Sequence, residues 1–149
     1  MTAQIQGDFV VLMLGLRVNR WWRFHRWIPA VLAMPRMLSE LKRKPELGLL
    51  GVEFYGVLKP VIIQYWRSYD LLEQYARSKK YEHQPAWQAY NRRILASGDV
   101  GLWHETYRVT PGQFETIYTN MPQTGLAAAS TLVTIGAGTE SSRERLNAE

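Results

Sequence analysis

Phe9-Val-Val-Leu-Met-Leu-Gly-Leu16 is an uninterrupted apolar run near the start of the chain. It is short and rich in β-forming residues, so it predicts a strand rather than a free-standing helix. Successive side chains of a strand point to opposite faces of the sheet. Because odd and even positions are both apolar, we expect a strand whose two faces are both covered.

After this strand the apolar residues are spaced alternately three and four apart, which predicts a helix. The positions on this stripe are Trp21, Phe24, Ile28, Val31, Pro35 and Leu38. Pro29 and Pro35 each remove a backbone donor and crowd the preceding turn. We therefore expect one short helix through Trp27 and a second helix to about Lys44.

A hairpin and a helix are predicted next. Two β-rich runs, Leu49 to Leu58 and Val61 to Ser68, are separated by a turn containing Pro60. Ser68 is a suitable N-cap for a helix from Tyr69 to about Lys79.

The remaining predicted elements are one helix and two strands. Pro85 favours a helix start, and Gly98 should end that helix after Ala96. Strands are expected from Val100 to Val109 and from Gln113 to Asn120. Residues 1–125 would form one domain, and the small, polar residues 126–149 a flexible C-terminal tail.

This order predicts an α+β protein of the ferredoxin-like βαββαβ type with an extra C-terminal strand. Helices cover only one face of such a sheet. With no second domain, we expect a second copy of the chain to cover the other face. The result would be a homodimer whose two facing sheets enclose an apolar cavity.

Composition excludes several classes of protein. The chain has no cysteine, so disulfide scaffolds and thiolate chemistry are excluded. Its longest apolar run is less than half of the roughly 20 residues that span a bilayer. We therefore expect no membrane span and a cytoplasmic location.

The net charge of +5 raises the question of a nucleic-acid partner. Eight basic residues lie between Arg17 and Lys44, where Glu40 is the only acid. However, zinc-finger, RNA-stacking and recognition-helix patterns are missing. Arg20, Arg23 and Arg26 are better explained as the solvated side of the first helix, so no nucleic-acid partner is expected.

Histidines are the candidates for proton transfer near neutral pH, since phosphate-binding, dinucleotide and nucleophile-elbow motifs are missing. His104 shares a strand face with Leu102 and Thr106. It is a general base or haem ligand if that face borders the cavity, and a core histidine if it faces the helices. His25 lies at the edge of the apolar stripe, either as a catalytic group or as a structural one capping the helices.

An aromatic wall would bind an apolar substrate if the strand faces converge. Its members would be Tyr65, Trp66, Trp103, Tyr107 and Tyr118. The alternative is that these rings are core. Arg17 either binds an anionic oxygen or pairs with Glu53 or Glu105.

Three motifs resemble one family. They are Gly15-Leu-Arg-Val-Asn-Arg-Trp-Trp-Arg-Phe-His-Arg-Trp27, His83-Gln-Pro-Ala-Trp87 and Gly98-Asp-Val-Gly-Leu-Trp-His-Glu-Thr-Tyr107. They are similar to a bacterial and fungal branch of the antibiotic-biosynthesis monooxygenase superfamily, labelled monooxygenase-like after a fungal fumagillin-pathway member. The resemblance covers residues 8–125 and implies the dimeric α+β barrel.

The resemblance also implies site residues and cofactors. Related oxygenases present a polar side chain where Asn19 lies, although Asn19 also suits a plain turn. His83 falls near the iron ligand of haem-degrading members, and it would bind haem if the protein uses haem. Other members of the superfamily are oxygenases without a cofactor.

The function expected from these observations is a small homodimeric monooxygenase of secondary metabolism. It would act on an apolar aromatic or polyketide-like substrate, with His104 or His25 as base and no cofactor. One alternative is a haem-binding dehydratase or oxygenase of the same fold. The other is a module that binds a ligand without catalysis.

Overall fold

The computed structural model describes residues 1–56, 59–78 and 96–147. Its strands are β1 (Thr2–Gln4), β2 (Phe9–Val18), β3 (Leu49–Tyr55), β4 (Val61–Trp66), β5 (Val100–Val109) and β6 (Thr131–Val133). Its helices are α1 (Phe24–Arg43), α2 (Tyr69–Arg77) and α3 (Ser142–Asn147). The helix predicted from Pro85 lies outside the described residues.

The main sheet has the strand order β3-β4-β2-β5, and every neighbouring pair is antiparallel. The apolar run beginning at Phe9 is central, as predicted, because β2 pairs with β4 on one side and β5 on the other. The order of β2, α1, β3, β4, α2 and β5 confirms the α+β, ferredoxin-like fold.

One face of the sheet, the helix side, packs against α1 and α2. The buried residues of this core are Val10, Leu38, Leu41, Ile62, Trp66, Leu72 and Tyr75. The N-terminus of α2 is capped as predicted, since the Ser68 Oγ accepts a hydrogen bond from the Leu71 amide at 3.2 Å. Because Val10 belongs to this core and side chains alternate along a strand, the even-numbered residues of β2 face the helices.

The first helix is continuous from Phe24 to Arg43, so the predicted pair of helices is wrong. A proline removes one backbone hydrogen bond and bends a helix without necessarily ending it. Burial of Leu38 and Leu41 at the far end of α1 favours the continuous helix.

The turn before α1 differs from the predicted amphipathic helix. Trp21 and Phe24, predicted to be core, are exposed. The chain turns here because Arg20 and Arg23 each bond the buried Asp99 carboxylate, at 3.2 and 3.4 Å. These arginines were predicted to be the solvated face of a helix, yet they join this turn to the residues that precede β5.

The other face of the sheet, the open side, is half covered by the protein's own chain. Residues from β1, the 114–118 segment and the 3-10 helix Gly125–Ala129 pack on Phe9 and Tyr65. Leu126 and Ala127 are buried there. The start of the predicted tail is therefore packed against the sheet, and a second copy is not needed to cover this half.

Residues 113–120 do not form the predicted strand. Their segment runs beside β1, where the Met1 amine and the Tyr118 amide each bond the other residue's carbonyl. The Ala3 amide instead donates to the Thr116 side chain at 2.7 Å. A side chain thus takes the place of a backbone partner, and the 113–120 segment forms no β-ladder with β1. The extra C-terminal strand is instead β6, which pairs with β1.

The second half of the open side, around Gly15, carries exposed aromatic rings. Trp103, Tyr107 and Tyr55 are 42%, 49% and 44% exposed. Among the helices described here, none has both the length and the apolar content that a bilayer crossing requires.

Candidate functional site

The most unusual polar group on the helix side is Gln64, in the middle of β4. Its side chain is 2% exposed. The Trp66 indole Nε1 donates a 2.9 Å hydrogen bond to the Gln64 Oε1, which fixes the orientation of the amide. The Gln64 Nε2 is buried and has no hydrogen-bond partner among the described residues.

An unpaired buried donor costs about 1–3 kcal/mol, so it is rarely kept without a reason. The surrounding residues offer no acceptor from the sheet, because Gln64 lies in register between Val52 of β3 and Leu12 of β2. The amide therefore presents two fixed N–H groups inside an apolar layer, an arrangement suited to binding an oxygen atom of a bound molecule.

His104 lies on the same side of the sheet. It pairs with Leu14, and Leu14 pairs with Ile62 on β4. Neighbouring strands are about 4.8 Å apart and alternate residues about 6.8 Å apart, so the Cα atoms of His104 and Gln64 are separated by roughly 12 Å.

The structure fits neither of the two environments predicted for His104. It faces the helix side rather than the open side, and it is exposed rather than part of the core. The reason is the position of β5 at the edge of the sheet. The His104 imidazole is thus accessible at the border of the helix-side layer.

Neither His25 nor Asn19 is part of the apolar layer on the helix side of the sheet. His25 is exposed in the first turn of α1, edge-to-face with Phe24, so it does not cap the helices. The Asn19 Nδ2 donates to the Gly98 carbonyl at 3.1 Å, and the Asn19 amide donates to the Asp99 carbonyl at 2.9 Å. Asn19 thus helps to hold the turn before β5.

The predicted aromatic wall is divided between the two faces of the sheet. Trp66 lies on the helix side, 1% exposed, with its ring 5.7 Å from the Tyr75 ring. Tyr65, Trp103 and Tyr107 lie on the open side, as does Arg17. One cavity cannot be lined by all of them, because adjacent strand residues point in opposite directions.

Tyr65 and Tyr118 belong to the half of the open side that the chain covers itself. The Ala127 amide donates to the Tyr118 hydroxyl at 3.1 Å. Burial, with Tyr118 as the next contributor, raises the pKa of Tyr65 to about 12. These two tyrosines are therefore packed under residues 125–147, which we call the C-terminal segment.

The uncovered half of the open side is polar as well as aromatic. The Tyr107 hydroxyl donates to the Glu105 carboxylate, and this bond raises the pKa of Tyr107. The indole of Trp103 lies directly over Gly15, where a Cβ would be 2.0 Å from its Nε1. Arg17 forms no ion pair with any residue that the structure describes, so the predicted intrachain pairs are wrong.

A cleft of about 540 Å³ lies between β1 and the C-terminal segment, and none of the predicted site residues within the described ranges lines it. At its edge the Arg145 Nε donates to the Glu115 carboxylate at 2.8 Å, which lowers the pKa of Glu115. The ion pair joins α3 to the 114–118 segment, so its role is structural.

The side chains that could bind a metal ion do not cluster in the described part of the chain. Across 1–56, 59–78 and 96–147, no group of three or more acidic or histidine side chains is placed to hold one. His83, the predicted haem ligand, lies outside the described residues.

Gln64 and Asp99 were not predicted as site residues. Gln64 is the single polar residue in the run Val61-Ile-Ile-Gln-Tyr-Trp66, and this was the available signal. Asp99 gave no signal, because its arginine partners are about 80 residues away in the sequence.

The structure thus defines a ferredoxin-like α+β protein with a buried amide donor and an exposed histidine on the helix side of its sheet. A family model described as Monooxygenase af470-like matches residues 9–126. The chain therefore belongs to the monooxygenase af470-like family, and its enzyme class is that of a monooxygenase, an oxidoreductase.

Three solved structures are similar to this chain at low sequence identity. The cofactor-independent oxygenase SnoaB from Streptomyces nogalater has a TM-score of 0.48 and 13% identity, over 77% of this chain and 98% of its own. A conserved protein from Bacteroides thetaiotaomicron has a TM-score of 0.46 and 13% identity, over 68% and 98%. A protein from Shewanella oneidensis has a TM-score of 0.46 and 10% identity, over 73% and 97%. No curated protein matches the chain.

Proposed function

We propose that this monooxygenase oxidises an apolar aromatic or polyketide-like substrate bound on the helix side of the sheet, between Gln64 and His104. The observation that carries the proposal is the buried Gln64 Nε2, which has no hydrogen-bond partner among the described residues. Apolar side chains around it, including Leu12 and Leu14, suit a hydrophobic ring system and exclude water.

The proposed reaction begins with removal of an acidic C–H proton from the substrate by the His104 imidazole. The resulting carbanion is delocalised onto a ring oxygen, and the Gln64 N–H groups stabilise that oxyanion. The electron-rich anion then transfers an electron to dioxygen, and the two radicals combine to a peroxide anion, which takes back the proton held by His104. Loss of water leaves one oxygen atom in a new carbonyl group and the other in water.

In this mechanism the substrate supplies the electrons, so we propose that no bound cofactor is needed. Haem remains the alternative source of oxygen chemistry, with His83 as the ligand implied by the family resemblance. Haem added to the purified protein should give no Soret shift and no change in oxygen uptake. A tight complex that is required for turnover would favour the alternative.

The homodimer is also part of the proposal. The uncovered half of the open side carries Arg17 together with Glu53 and Glu105. A two-fold axis would bring Arg17 of each protomer towards the carboxylates of the other, which is the self-complementarity that such an interface requires. Trp103 and Tyr107 would supply apolar area at its centre.

Two histidine variants test the function. We expect the wild type to consume dioxygen with a hydroxyanthrone, a tricyclic phenol whose methylene proton is acidic. The His104→Ala variant should lower kcat/KM about 100-fold or more, because proton abstraction loses its base. The His25→Ala variant removes an exposed histidine in the first turn of α1, outside the sheet, and should keep the rate.

The measurement is oxygen uptake in an electrode chamber with the product followed by its absorbance. Equal rates for the His104→Ala variant and the wild type would exclude His104 as the base. No uptake with hydroxyanthrones or with smaller acidic phenols would count against the oxygenase mechanism itself.

A further inference from the structure

Exposed apolar side chains also lie in the turn before α1 and in the first turns of that helix. We call Trp21, Trp22, Phe24 and Ile28 the aromatic patch. Their exposed fractions are 73%, 58%, 59% and 38%. Four large apolar side chains exposed within eight successive residues are uncommon on a folded protein and mark a surface that binds something.

The backbone under the aromatic patch is fixed. The Trp27 Nε1 donates to the Trp21 carbonyl at 3.1 Å, and the Arg23 amide donates to the Arg20 carbonyl at 3.1 Å. The Trp27 ring packs inward against Leu16 and Val100. The outward orientation of its neighbours is therefore set by a packed turn rather than by a frayed helix end.

The surroundings of the aromatic patch are basic. The side chains of Arg20 and Arg23 are 45% and 39% exposed, while the Asp99 carboxylate that they share is fully buried. From Arg17 to Ile28 the sequence has four basic residues and no acid. The exposed charge beside the tryptophans is thus positive.

We propose that the aromatic patch docks the protein onto the surface of an anionic lipid bilayer. Tryptophan favours the headgroup region of bilayers, where its ring is buried and its N–H stays solvated. Arginines beside it interact with lipid phosphates. This function is separate from the proposed oxygenase reaction and does not depend on it.

Two other occupants fit the patch less well. A second copy would bring the basic surface against itself, which like charges oppose. Single-stranded nucleic acid needs ring faces presented for stacking, whereas Trp21 and Trp22 are edge-to-face, 6.1 Å apart with an interplanar angle of 79°. The observations therefore favour the bilayer.

Vesicle co-sedimentation of the full chain tests the proposal. Vesicles of phosphatidylcholine with about one third phosphatidylglycerol should bind the protein, and phosphatidylcholine alone should bind it much less. Binding should weaken as NaCl is raised from about 0.05 to about 0.5 M. The W21S/W22S double variant should reduce binding about tenfold or more, because both apolar anchors are lost.

The control is the I117S/M121S double variant, which removes two exposed apolar residues outside the patch, 60% and 58% exposed. It should bind like the wild type. The proposal is overturned if anionic vesicles do not retain the protein, or if both double variants bind equally well. Loss of oligonucleotide binding in the W21S/W22S variant, without vesicle binding by the wild type, would assign the patch to nucleic acid instead.

Discussion

At the scale of single residues, Tyr65 shows how burial changes a titration. Its hydroxyl lies under the C-terminal segment, next to Tyr118, and burial raises its pKa to about 12 from the ordinary value of 10. The folded protein therefore keeps the proton at a pH where the unfolded chain releases it. The stabilising effect is complete below pH 10 and is lost as the pH rises towards 12.

This linkage predicts an alkaline loss of stability specific to Tyr65. Between about pH 9 and 11.5 the free energy of unfolding of the wild type should fall more steeply than that of the Tyr65→Phe variant, which has no proton to lose there. Urea denaturation at each pH measures the difference. Parallel curves for the two proteins would contradict a buried Tyr65 hydroxyl.

Single residues also show what sequence reasoning can and cannot reach. The Ser68 cap was predictable because a cap depends on residues three positions away. The partners of Asp99 were not, since Arg20 and Arg23 approach it only after the sheet has formed. His104 was assigned the correct strand neighbours, but its exposure depends on β5 being an edge strand.

At the scale of elements, the C-terminal segment is held to the sheet by a close approach of backbones. A Cβ on Gly51 would lie 2.7 Å from the Ala129 Cβ and 3.1 Å from its Cα. Only a glycine in β3 allows the Gly125–Ala129 helix to sit this close. The same contact places Leu126 in the core beside Tyr65.

Gly51→Ala should therefore lower the free energy of unfolding by about 1–3 kcal/mol, because the added methyl group overpacks a backbone contact. Adding Ala129→Gly removes the opposing methyl group and should restore much of the loss. Gly136→Ala is the control, since nothing lies within 4 Å of its Cβ position. Chemical denaturation of these variants beside the wild type gives the comparison; equal midpoints would show that the segment does not sit on Gly51.

The elements of the main sheet were predictable because each has a local pattern. The strand from Val100 to Val109 was predicted with both ends correct. The first helix was not, because the effect of its prolines depends on the packing of residues further along. The arrangement of residues 113–133 depends on bonds to Met1 and Ala3, which no local pattern encodes.

At the scale of the whole molecule, the open side of the sheet is divided into two halves. One half is filled by the chain itself, and the other exposes Trp103, Tyr107 and Arg17. A second copy therefore has only the second half to cover. This moves the proposed substrate site from the space between two sheets to the helix side of each protomer.

Arg17→Glu should weaken the proposed homodimer about tenfold or more, because the introduced carboxylate would face the carboxylates of the other protomer. Lys59→Glu makes the same charge change outside the sheet and serves as the control. Sedimentation velocity over a range of concentrations measures both dissociation constants. A wild type that remains monomeric, or an unchanged constant for Arg17→Glu, would contradict this interface.

In the proposed reaction, the unpaired amide of Gln64 binds the substrate oxygen. Gln64→Leu removes that amide at similar volume. Its free energy of unfolding should change by about 1 kcal/mol or less, because loss of the Trp66 partner is offset by removal of a buried unpaired donor. The companion variant is Trp66→Phe. It removes the indole that donates to the Gln64 Oε1 but retains the Gln64 amide.

The decisive measurement is dioxygen uptake with a hydroxyanthrone by folded Gln64→Leu protein, compared with Trp66→Phe and the wild type. We expect kcat/KM to fall about 100-fold in Gln64→Leu and much less in Trp66→Phe, since only the first variant loses the oxyanion donor. A Gln64→Leu protein that is as active as the wild type would contradict this role of Gln64.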